Sequence, residues 1–180
     1  CNQFCSYCII PYARGRLRSR SLTDIKKQVE SLVAQGFKEV VLLGIHLGAY
    51  GKELSDGTNL TQAVKTALSV HGLQRLRLGS LECIEVDEEL LMLMEQDSRF
   101  ARQLHLPLQA GTDSVLKAMN RPYTTYEFAA LVHRIQSRIP DIAITTDIIV
   151  GFPGETEADF TATCELAQQL GLAKIHIFPF

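Results

Sequence analysis

Short apolar stretches alternate along the chain with longer amphipathic ones. In the longer stretches, apolar residues recur at helical spacing, as Ile25, Val29, Leu32 and Val33 do. The short stretches predict β-strands because most are rich in apolar and β-branched residues: 38–43, 75–78, 103–107, 142–150 and 174–178. Strands that alternate with helices predict an α/β fold with a parallel sheet and right-handed crossovers.

Helix start signals precede each of five amphipathic stretches. The predicted helices cover residues 22–35, 60–70 and 88–95, a stretch that ends before Pro140, and a stretch that ends near Gly171. Thr124 and Glu127 have the spacing of a capping box. The residues expected to cap these helices are Ser21, Asn59, Asp87, Thr124 and Thr156.

The chain length limits the size of the barrel. A sequence of 180 residues favours one domain, whereas a closed eight-stranded barrel usually needs about 250 residues. We expect a further strand just before Cys1, outside this sequence, which would make six. The prediction is therefore an open, partial (β/α)6 TIM-like barrel whose loops after the strands carry the chemistry.

Composition and charge narrow the classes of function. Hydrophobic residues make up 46% and charged residues 21% of the chain, as in soluble globular proteins. A net charge of −2 argues against nucleic-acid binding over the whole surface but allows a local basic patch. No apolar run reaches the roughly 20 residues that cross a bilayer, and the clustered cysteines favour a reducing, cytoplasmic location.

Three of the five cysteines fall within eight residues. Cys1, Cys5 and Cys8 have the spacing C-x3-C-x2-C. A cubane iron–sulfur cluster takes four ligands, one on each iron. Three thiolates can therefore hold such a cluster and leave one iron open. On spacing alone, a zinc site with a fourth ligand elsewhere, or three free thiols, remain open alternatives. Cys83 and Cys164 are isolated, and we expect both to be buried structural thiols.

This cysteine pattern, with Tyr7 just before the last cysteine, resembles the signature of the radical S-adenosylmethionine (SAM) superfamily. The resemblance implies that Cys1, Cys5 and Cys8 hold a [4Fe–4S] cluster and that SAM chelates its open iron. It also implies that the cluster splits SAM to leave a 5′-deoxyadenosyl radical, and that Tyr7 packs near the adenine. The predicted fold is then a radical SAM core.

Further residues at predicted strand ends resemble the SAM-contacting positions of that superfamily. Carboxylates such as Glu82 or Asp147 can bind the ribose hydroxyls or the methionine amine, and Arg121 can pair with the methionine carboxylate. The alternatives are that Gly44 is an ordinary turn glycine, that Glu82 and Arg121 each belong to a structural ion pair, and that Phe178 is a core aromatic. Residues 151–155, with Asp147 and Ile149, resemble the superfamily's glycine-containing motif of the fifth strand, except that the spacing of the acidic residue is one position longer than in its general form. The cofactor-binding candidates are Tyr7, Gly44, Glu82, Gln109, Arg121, Asp147, Gly151 and Phe178.

A basic segment follows the cysteines. Arg14, Arg16, Arg18 and Arg20 alternate, so an extended segment would place all four on one face, where they suit phosphates. The alternative is a solvated or ion-paired loop. Residues 9–20 also resemble the methylthiotransferase family, and the resemblance extends over essentially all 180 residues.

The narrower resemblance implies a reaction: hydrogen abstraction from C2 of an adenine, sulfur insertion, and methylation by a second SAM. Residues 44–51 and 80–82 look most like the branch that acts on N6-threonylcarbamoyladenosine at position 37 of tRNA. The branch that acts on isopentenyladenosine usually has Gln-Asn where this chain has Ile45 and His46. His46 is thus a candidate for contacting the modified base, or else a solvated loop histidine.

The resemblance also implies partners outside this sequence. We expect a tRNA substrate, an electron donor such as flavodoxin or ferredoxin, an N-terminal domain with a second iron–sulfur cluster, and a C-terminal RNA-binding domain. Residues 1–180 are then a catalytic core domain that cleaves SAM but does not complete methylthiolation alone. The alternatives are the isopentenyladenosine branch, a branch acting on a ribosomal-protein aspartate, and a zinc-stabilised RNA-binding module without catalysis.

Overall fold

The strands of the computed structural model, which describes residues 1–180, fall into two sheets. In one sheet, β1 (Glu39–Leu42) pairs in parallel with β2 (Arg75–Leu78). In the other, the order is β3 (Gln103–His105), β4 (Ala143–Val150) and β5 (Lys174–Pro179), with β4 and β5 parallel. All five predicted strands are confirmed, although β1 and β3 are each two residues shorter than predicted.

All five predicted helices are present, and each begins with the predicted cap. Each cap side chain accepts a hydrogen bond from the backbone N–H three residues on, and Asn59, Thr124 and Thr156 form complete capping boxes. Two short helices were not predicted because neither has a side chain that caps its first turn. The helices are α1 (Ile10–Arg14), α2 (Leu22–Ala34), α3 (Leu60–Leu68), α4 (Glu88–Gln96), α5 (Asp113–Ala118), α6 (Thr125–Arg138) and α7 (Glu157–Gln169).

The chain divides into two compact units. The first unit contains residues 1–16 and 104–180, and the second contains residues 17–103. The cysteine loop, β4 and β5 therefore belong to the first unit, and β1 and β2 belong to the second. None of the helices is both long and apolar enough to cross a bilayer.

The core of the second unit lies between its two strands and its helices. Val64, Ala67, Leu76 and Leu91 are fully buried there, and α2 packs on α3. Burial of a side chain such as Leu76 contributes roughly 1.5–3 kcal/mol. Cys83 is buried as predicted.

The core of the first unit positions the polar residues of its sheet. Leu104, Leu106 and Leu108 are fully buried, and so is Thr146 on β4. The Thr146 hydroxyl donates to the carbonyl of Leu106 at 2.7 Å and accepts from the N–H of Leu108 at 2.8 Å, which ties the chain after β3 to β4. Since successive strand residues face opposite sides, His105 and its neighbours in the sheet face away from this core.

One thiol differs from its prediction. Cys164 is exposed, not buried. It lies on α7, whose buried positions are Thr163 and Ala167, so its side chain is on the solvent side of that helix. The prediction was wrong because the weak amphipathic pattern of this helix did not identify its buried face.

Candidate functional site

The cysteine loop is a tight, irregular segment at the start of the first unit. The N–H of Cys8 donates to the carbonyl of Cys5 at 3.0 Å and closes a turn between the last two cysteines. Cys1, Cys5 and Cys8 are half-buried free thiols. Phe4 has a φ of 50°, a left-handed conformation that non-glycine residues rarely adopt. Because such strain costs of order 1–3 kcal/mol, the surrounding structure must hold it in place.

The last residue of α5 and the residues just after it hold this loop in place. The Ser6 N–H donates to the carbonyl of Met119 at 3.1 Å, and its hydroxyl donates to the carbonyl of Ala118 at 2.8 Å. The side-chain amide of Asn120 donates to the carbonyl of Phe4 at 2.9 Å. Asn120 itself has a φ of 57°. The strained Phe4 is therefore fixed by a second strained residue, a type of arrangement that concentrates at functional sites.

Arg121 connects the loop to the end of β3. Its Nη1 donates to the Cys5 sulfur at 3.2 Å, while Nε and Nη2 donate to the Tyr123 hydroxyl at 3.0 and 2.9 Å. The Tyr123 hydroxyl donates in turn to the carbonyl of Pro107 at 2.7 Å. Arg121 is only 9% exposed. A buried guanidinium beside the sulfur offsets the negative charge that a thiolate ligand would bring.

The chain after β3 and β4 contains two further candidates. Gln109 is buried with a φ of 71°; its N–H donates to the carbonyl of Asp147 at 2.8 Å, and its carbonyl accepts from Ile149 at 2.9 Å. Gly151 has a φ of 79°, which only glycine adopts readily, and its N–H donates to the Glu155 carboxylate at 2.5 Å. Both positions thus have backbone conformations that the loops at these strand ends require.

Tyr7 and Phe178 are the aromatic candidates of the first unit. Tyr7 lies half-buried within the cysteine loop. Phe178 is 50% exposed on β5, where it pairs with Ile149 of β4. An exposed aromatic ring on a strand is available to pack on a planar ligand.

Asp147 forms a cluster with two histidines that the sequence did not single out. Its Oδ1 lies 3.1 Å from His105 Nε2 and 3.2 Å from His176 Nδ1. Nδ1 of His105 is 2.8 Å from the Thr145 hydroxyl oxygen. Burial opposes ionisation of Asp147, but contacts from both histidines outweigh it, so the pKa of its carboxyl lies below its ordinary value. We call His105, Asp147 and His176 the open cluster.

The two histidines were missed because each is a single residue in an otherwise apolar strand. Strand register brings them together, and the apolar pattern of these strands does not determine it. Asp147 pairs directly with His176 across β4 and β5, and His105 ends the neighbouring strand β3. In adjacent strands, residues at the same level face the same side of a sheet.

The second unit contains a different histidine–carboxylate group. His46 Nε2 lies 2.7 Å from Glu85 Oε1, and Lys52 Nζ donates to the same oxygen at 3.0 Å. The side chains of His46 and Glu85 are only 9% and 4% exposed. Burial opposes ionisation of Glu85, but His46 and Lys52 outweigh it, so the pKa of the Glu85 carboxyl is lowered. We call His46, Lys52 and Glu85 the closed cluster.

The closed cluster fixes the loop that follows β1. Gly44 starts this loop, and a Cβ atom there would lie 3.3 Å from the Leu47 backbone. A Cβ on Gly48 would overlap the Glu85 carboxyl group. Glu82 follows β2, and its carbonyl accepts from the Glu85 N–H at 2.9 Å. Gly44, His46 and Glu82 therefore lie on two loops that Glu85 joins.

The basic segment is only partly extended. Arg14 is the last residue of α1, so the prediction of one extended segment is wrong at Arg14; Pro11 in the first turn favours the helix. Arg16 is exposed in the first unit. In the second unit, Arg18 and Arg20 are exposed on either side of half-buried Ser19, as alternation predicts.

The part of the basic segment in the second unit is tied to the loop after β1. The Tyr50 hydroxyl donates to the carbonyl of Arg20 at 2.5 Å, and the Gly51 N–H donates to the Ser19 hydroxyl at 2.8 Å. The Arg20 guanidinium also donates to Gln28 on α2. Exposed arginines and the loop at 44–51 therefore form one continuous surface of that unit.

Comparisons with known proteins agree on one family. Residues 1–167 match the Radical SAM superfamily. Over 178 residues the chain is 44% identical to the tRNA-2-methylthio-N(6)-dimethylallyladenosine synthase of Acetivibrio thermocellus, covering 99% of this chain and 37% of that protein. It is 39% identical over 180 residues to the threonylcarbamoyladenosine tRNA methylthiotransferase MtaB of Bacillus subtilis, covering 100% of this chain and 40% of that protein. The chain thus spans about two fifths of these relatives.

Solved structures show the same fold. The radical SAM methyltransferase TsrM from Kitasatospora setae superimposes with a TM-score of 0.78 at 22% identity, covering 99% of this chain and 34% of that one. Coproporphyrinogen III oxidase from Escherichia coli, a radical SAM enzyme, gives a TM-score of 0.65 at 14% identity over 100% of this chain and 42% of that one. The predicted fold class is confirmed: an α/β radical SAM core whose parallel strands do not close into a barrel.

Proposed function

Because this chain belongs to the Radical SAM superfamily, we propose that it is the catalytic core of a tRNA methylthiotransferase. The observation that carries the proposal is the cysteine loop: three free thiols within eight residues, held in a strained conformation by the residues after α5. Two relatives with 44% and 39% identity are named for that activity on tRNA.

The superfamily's cofactors are a [4Fe–4S] cluster and SAM, and the residues of the loop fit the cluster. Cys1, Cys5 and Cys8 would supply three thiolates and leave one iron for SAM. Together the two cofactors supply a 5′-deoxyadenosyl radical. Arg121 fits this role because it donates to the Cys5 sulfur from a buried position, as hydrogen-bond donors to cluster ligands do.

The remaining candidates of the first unit would bind and orient SAM. We propose that Tyr7 and Phe178 pack on the adenine. The pairing of Arg121 with the methionine carboxylate stays a prediction, since its guanidinium already donates to Cys5 and Tyr123. Gln109 and Gly151 would shape the strand-end loops that face the ligand, because each holds a left-handed backbone conformation there. The cofactor role of Asp147 stays a prediction, since two histidines already contact its carboxylate.

The second unit would contact the RNA. We propose that Arg18 and Arg20 bind phosphates, as do Arg14 and Arg16 of the first unit, and that residues 44–51 contact the modified base. His46 is bonded to Glu85, so in this proposal it fixes the shape of the loop. Gly44 and Glu82 would contact SAM from the ends of β1 and β2.

The proposed substrate is N6-threonylcarbamoyladenosine at position 37 of tRNA. Its support is the likeness of residues 44–51 and 80–82 to that branch, and the relative from Bacillus subtilis bears the corresponding name. The second candidate is N6-dimethylallyladenosine, favoured by the 44% identity to the relative from Acetivibrio thermocellus. Mass spectrometry of the two modified tRNAs after reaction with the full-length enzyme would decide which carries the methylthio group.

The full enzyme needs partners that lie outside this chain. We propose an electron donor such as flavodoxin or ferredoxin and a second iron–sulfur cluster on a further domain. The proposed location is the cytoplasm, where tRNA and reduced cysteines coexist. Without the further domain, we expect the chain to cleave SAM but not to form methylthiolated tRNA.

SAM cleavage tests the core of the proposal. The chain is reconstituted anaerobically with iron and sulfide, given SAM and a reductant, and assayed for 5′-deoxyadenosine. We expect Cys8→Ser to lose at least about 100-fold of the product, because the cluster loses a ligand. Cys164→Ser is the matched control, since this thiol is exposed on α7. Equal product from Cys8→Ser and the unaltered chain would contradict the role of the three cysteines.

A further inference from the structure

The open cluster in the first unit has the donor set of a metal site. One ligand atom each from His105, Asp147 and His176 lies within 4.8 Å of the others. Two imidazoles and one carboxylate form a frequent ligand set for first-row divalent metal ions in proteins. None of the three residues belongs to the cysteine loop, so an ion bound there would be separate from the iron–sulfur cluster.

The distances in this cluster suit hydrogen bonds and also suit neighbouring ligands of one metal ion. His46 and Glu85 of the closed cluster are 2.7 Å apart, a usual length for a charge-assisted hydrogen bond. In the open cluster, two nitrogens lie 3.1 and 3.2 Å from one Asp147 oxygen. Ligand atoms about 2.0–2.2 Å from a common ion are separated by roughly 3–3.5 Å. The spacing therefore suits neighbouring ligands of one ion.

The scaffold holds these ligands rigidly. The three residues come from three adjacent strands, and Asp147 pairs in register with His176. Ligands that lie on strands keep their geometry better than ligands on loops. The two imidazole rings are 5.4 Å apart between centroids and only 28° from parallel, so they stack beside Asp147.

The environment of the ligands also fits a metal. His105 Nε2 faces Asp147, and its other nitrogen lies 2.8 Å from the Thr145 hydroxyl. A metal-bound histidine usually makes such a contact through its second nitrogen. The side chain of His176 is 43% exposed, which gives an ion access from solvent.

We propose that His105, Asp147 and His176 bind one divalent transition-metal ion, with Zn²⁺ as the representative. Three protein ligands leave at least one coordination position for water or for a polar group of a ligand. The ion would join β3, β4 and β5 through their side chains. Its binding requires neither the cluster nor SAM, so the proposal stands or falls separately from SAM cleavage.

Equilibrium dialysis of the metal-free, reduced chain against Zn²⁺ tests the proposal. Any zinc taken up by the cysteines of the metal-free chain would contribute equally to all variants with intact cysteines. We expect the unaltered chain to bind about one ion more than Asp147→Asn, because the carboxylate joins both histidines. His133→Gln is the matched control, since His133 is exposed on α6 of the same unit and lies outside the cluster.

Two further variants should weaken zinc binding to different extents. His176→Gln, whose side chain is half-exposed, is expected to fold and to weaken zinc binding at this site by more than about 100-fold, beyond the loss typical of second-sphere residues. Thr145→Val removes the hydroxyl that contacts His105 and is expected to weaken binding by about 10-fold.

Cobalt separates the two classes of site. Co²⁺ bound by cysteine gives an intense sulfur charge-transfer band, whereas Co²⁺ in the open cluster gives ligand-field bands without it. We expect Cys8→Ser to reduce the former and retain the latter. If zinc stoichiometry and affinity are the same in the unaltered chain, Asp147→Asn and His176→Gln, the proposal is overturned and the cluster is a hydrogen-bonded group only.

Discussion

The two units each contain a histidine–carboxylate cluster, but the clusters differ in burial and spacing. In the second unit, Glu85 is 4% exposed and is held at 2.7 Å by His46 and at 3.0 Å by Lys52. In the first unit, Asp147 is 21% exposed and lies 3.1 and 3.2 Å from two histidines. The closed cluster pairs Oε1 of its carboxylate with two basic side chains and joins two loops, while Glu85 Oε2 is buried without a hydrogen-bond partner. The open cluster places three ligand atoms where an ion can reach them.

Backbone strain follows the same division. The three non-glycine residues with positive φ are Phe4, Gln109 and Asn120, and all belong to the first unit. They lie in the cysteine loop, just after α5 and at the end of β3. Strain of this kind persists only where the surroundings impose it, and it concentrates at functional sites. The first unit therefore carries the proposed chemistry, whereas the closed cluster in the second unit stabilises a loop.

The largest expected difference between the clusters is in their contribution to the free energy of unfolding of the chain. Glu85→Gln is expected to lower the free energy of unfolding by about 2 kcal/mol, because a buried carboxylate that accepts two hydrogen bonds from basic side chains is lost. Asp147→Asn is expected to cost less than about 1 kcal/mol, because its group is more open to water. Urea denaturation of the metal-free chain measures both. Equal losses would mean that the two clusters are structurally equivalent.

A side chain added at position 48 should displace the Glu85 carboxylate of the closed cluster. In Gly48→Ala the new Cβ overlaps the Glu85 carboxyl group, so we expect a loss of about 1–2 kcal/mol from overpacking. Gly44→Ala serves as the comparison and should cost less. Its Cβ would lie 3.3 Å from the Leu47 backbone, which needs to move only slightly. Thermal unfolding measures the two. A larger loss for Gly44→Ala would contradict the packing of Gly48 on Glu85.

Acid should reduce the contribution of the closed cluster to stability over a defined range of pH. Because the pKa of Glu85 in the folded protein lies below its ordinary value of 4.5, its contribution to stability is complete above about pH 4.5 and is lost as the pH falls through the lowered pKa. The difference in unfolding free energy between the unaltered chain and Glu85→Gln should shrink there by at most about 1.4 kcal/mol per pH unit. A difference that grows on acidification would contradict the sign of the shift.

The smallest effect is expected at the exposed partner of the closed cluster. The Lys52 side chain is 63% exposed, so its ion pair with Glu85 is screened by water. Lys52→Gln should therefore change the unfolding free energy by no more than about 0.5 kcal/mol, and the change should shrink further at high salt. Urea denaturation at low and high salt is the measurement. A loss comparable to that of Glu85→Gln would show that Lys52, not His46, holds the carboxylate.

Local signals were enough to predict most of the fold. Helix caps such as Asn59 and Thr124 act on the nearest backbone groups, so their effect is visible in the sequence. The helix that contains Arg14 was missed because its first turn has no side-chain cap. The wrong burial of Cys164 has a similar cause, since the apolar pattern of α7 is weak.

The site depends on contacts between distant residues, which the sequence does not display. The role of Arg121 on the Cys5 sulfur joins residues 116 positions apart. The pairing of Asp147 with His176 follows from strand register, which the hydrophobic pattern of two apolar strands does not determine. The spacing of Cys1, Cys5 and Cys8 was predictive because the ligands are close in sequence.

The most direct test of the central claim, that the cysteine loop holds a cluster with an iron open to SAM, is electron paramagnetic resonance of the reconstituted, reduced chain before and after addition of SAM. We expect the signal of a reduced [4Fe–4S] cluster, and a change in its g-values when SAM binds the iron that Cys1, Cys5 and Cys8 leave open. A cluster signal that SAM leaves unchanged, or a loop that binds zinc and no cluster, would contradict the account.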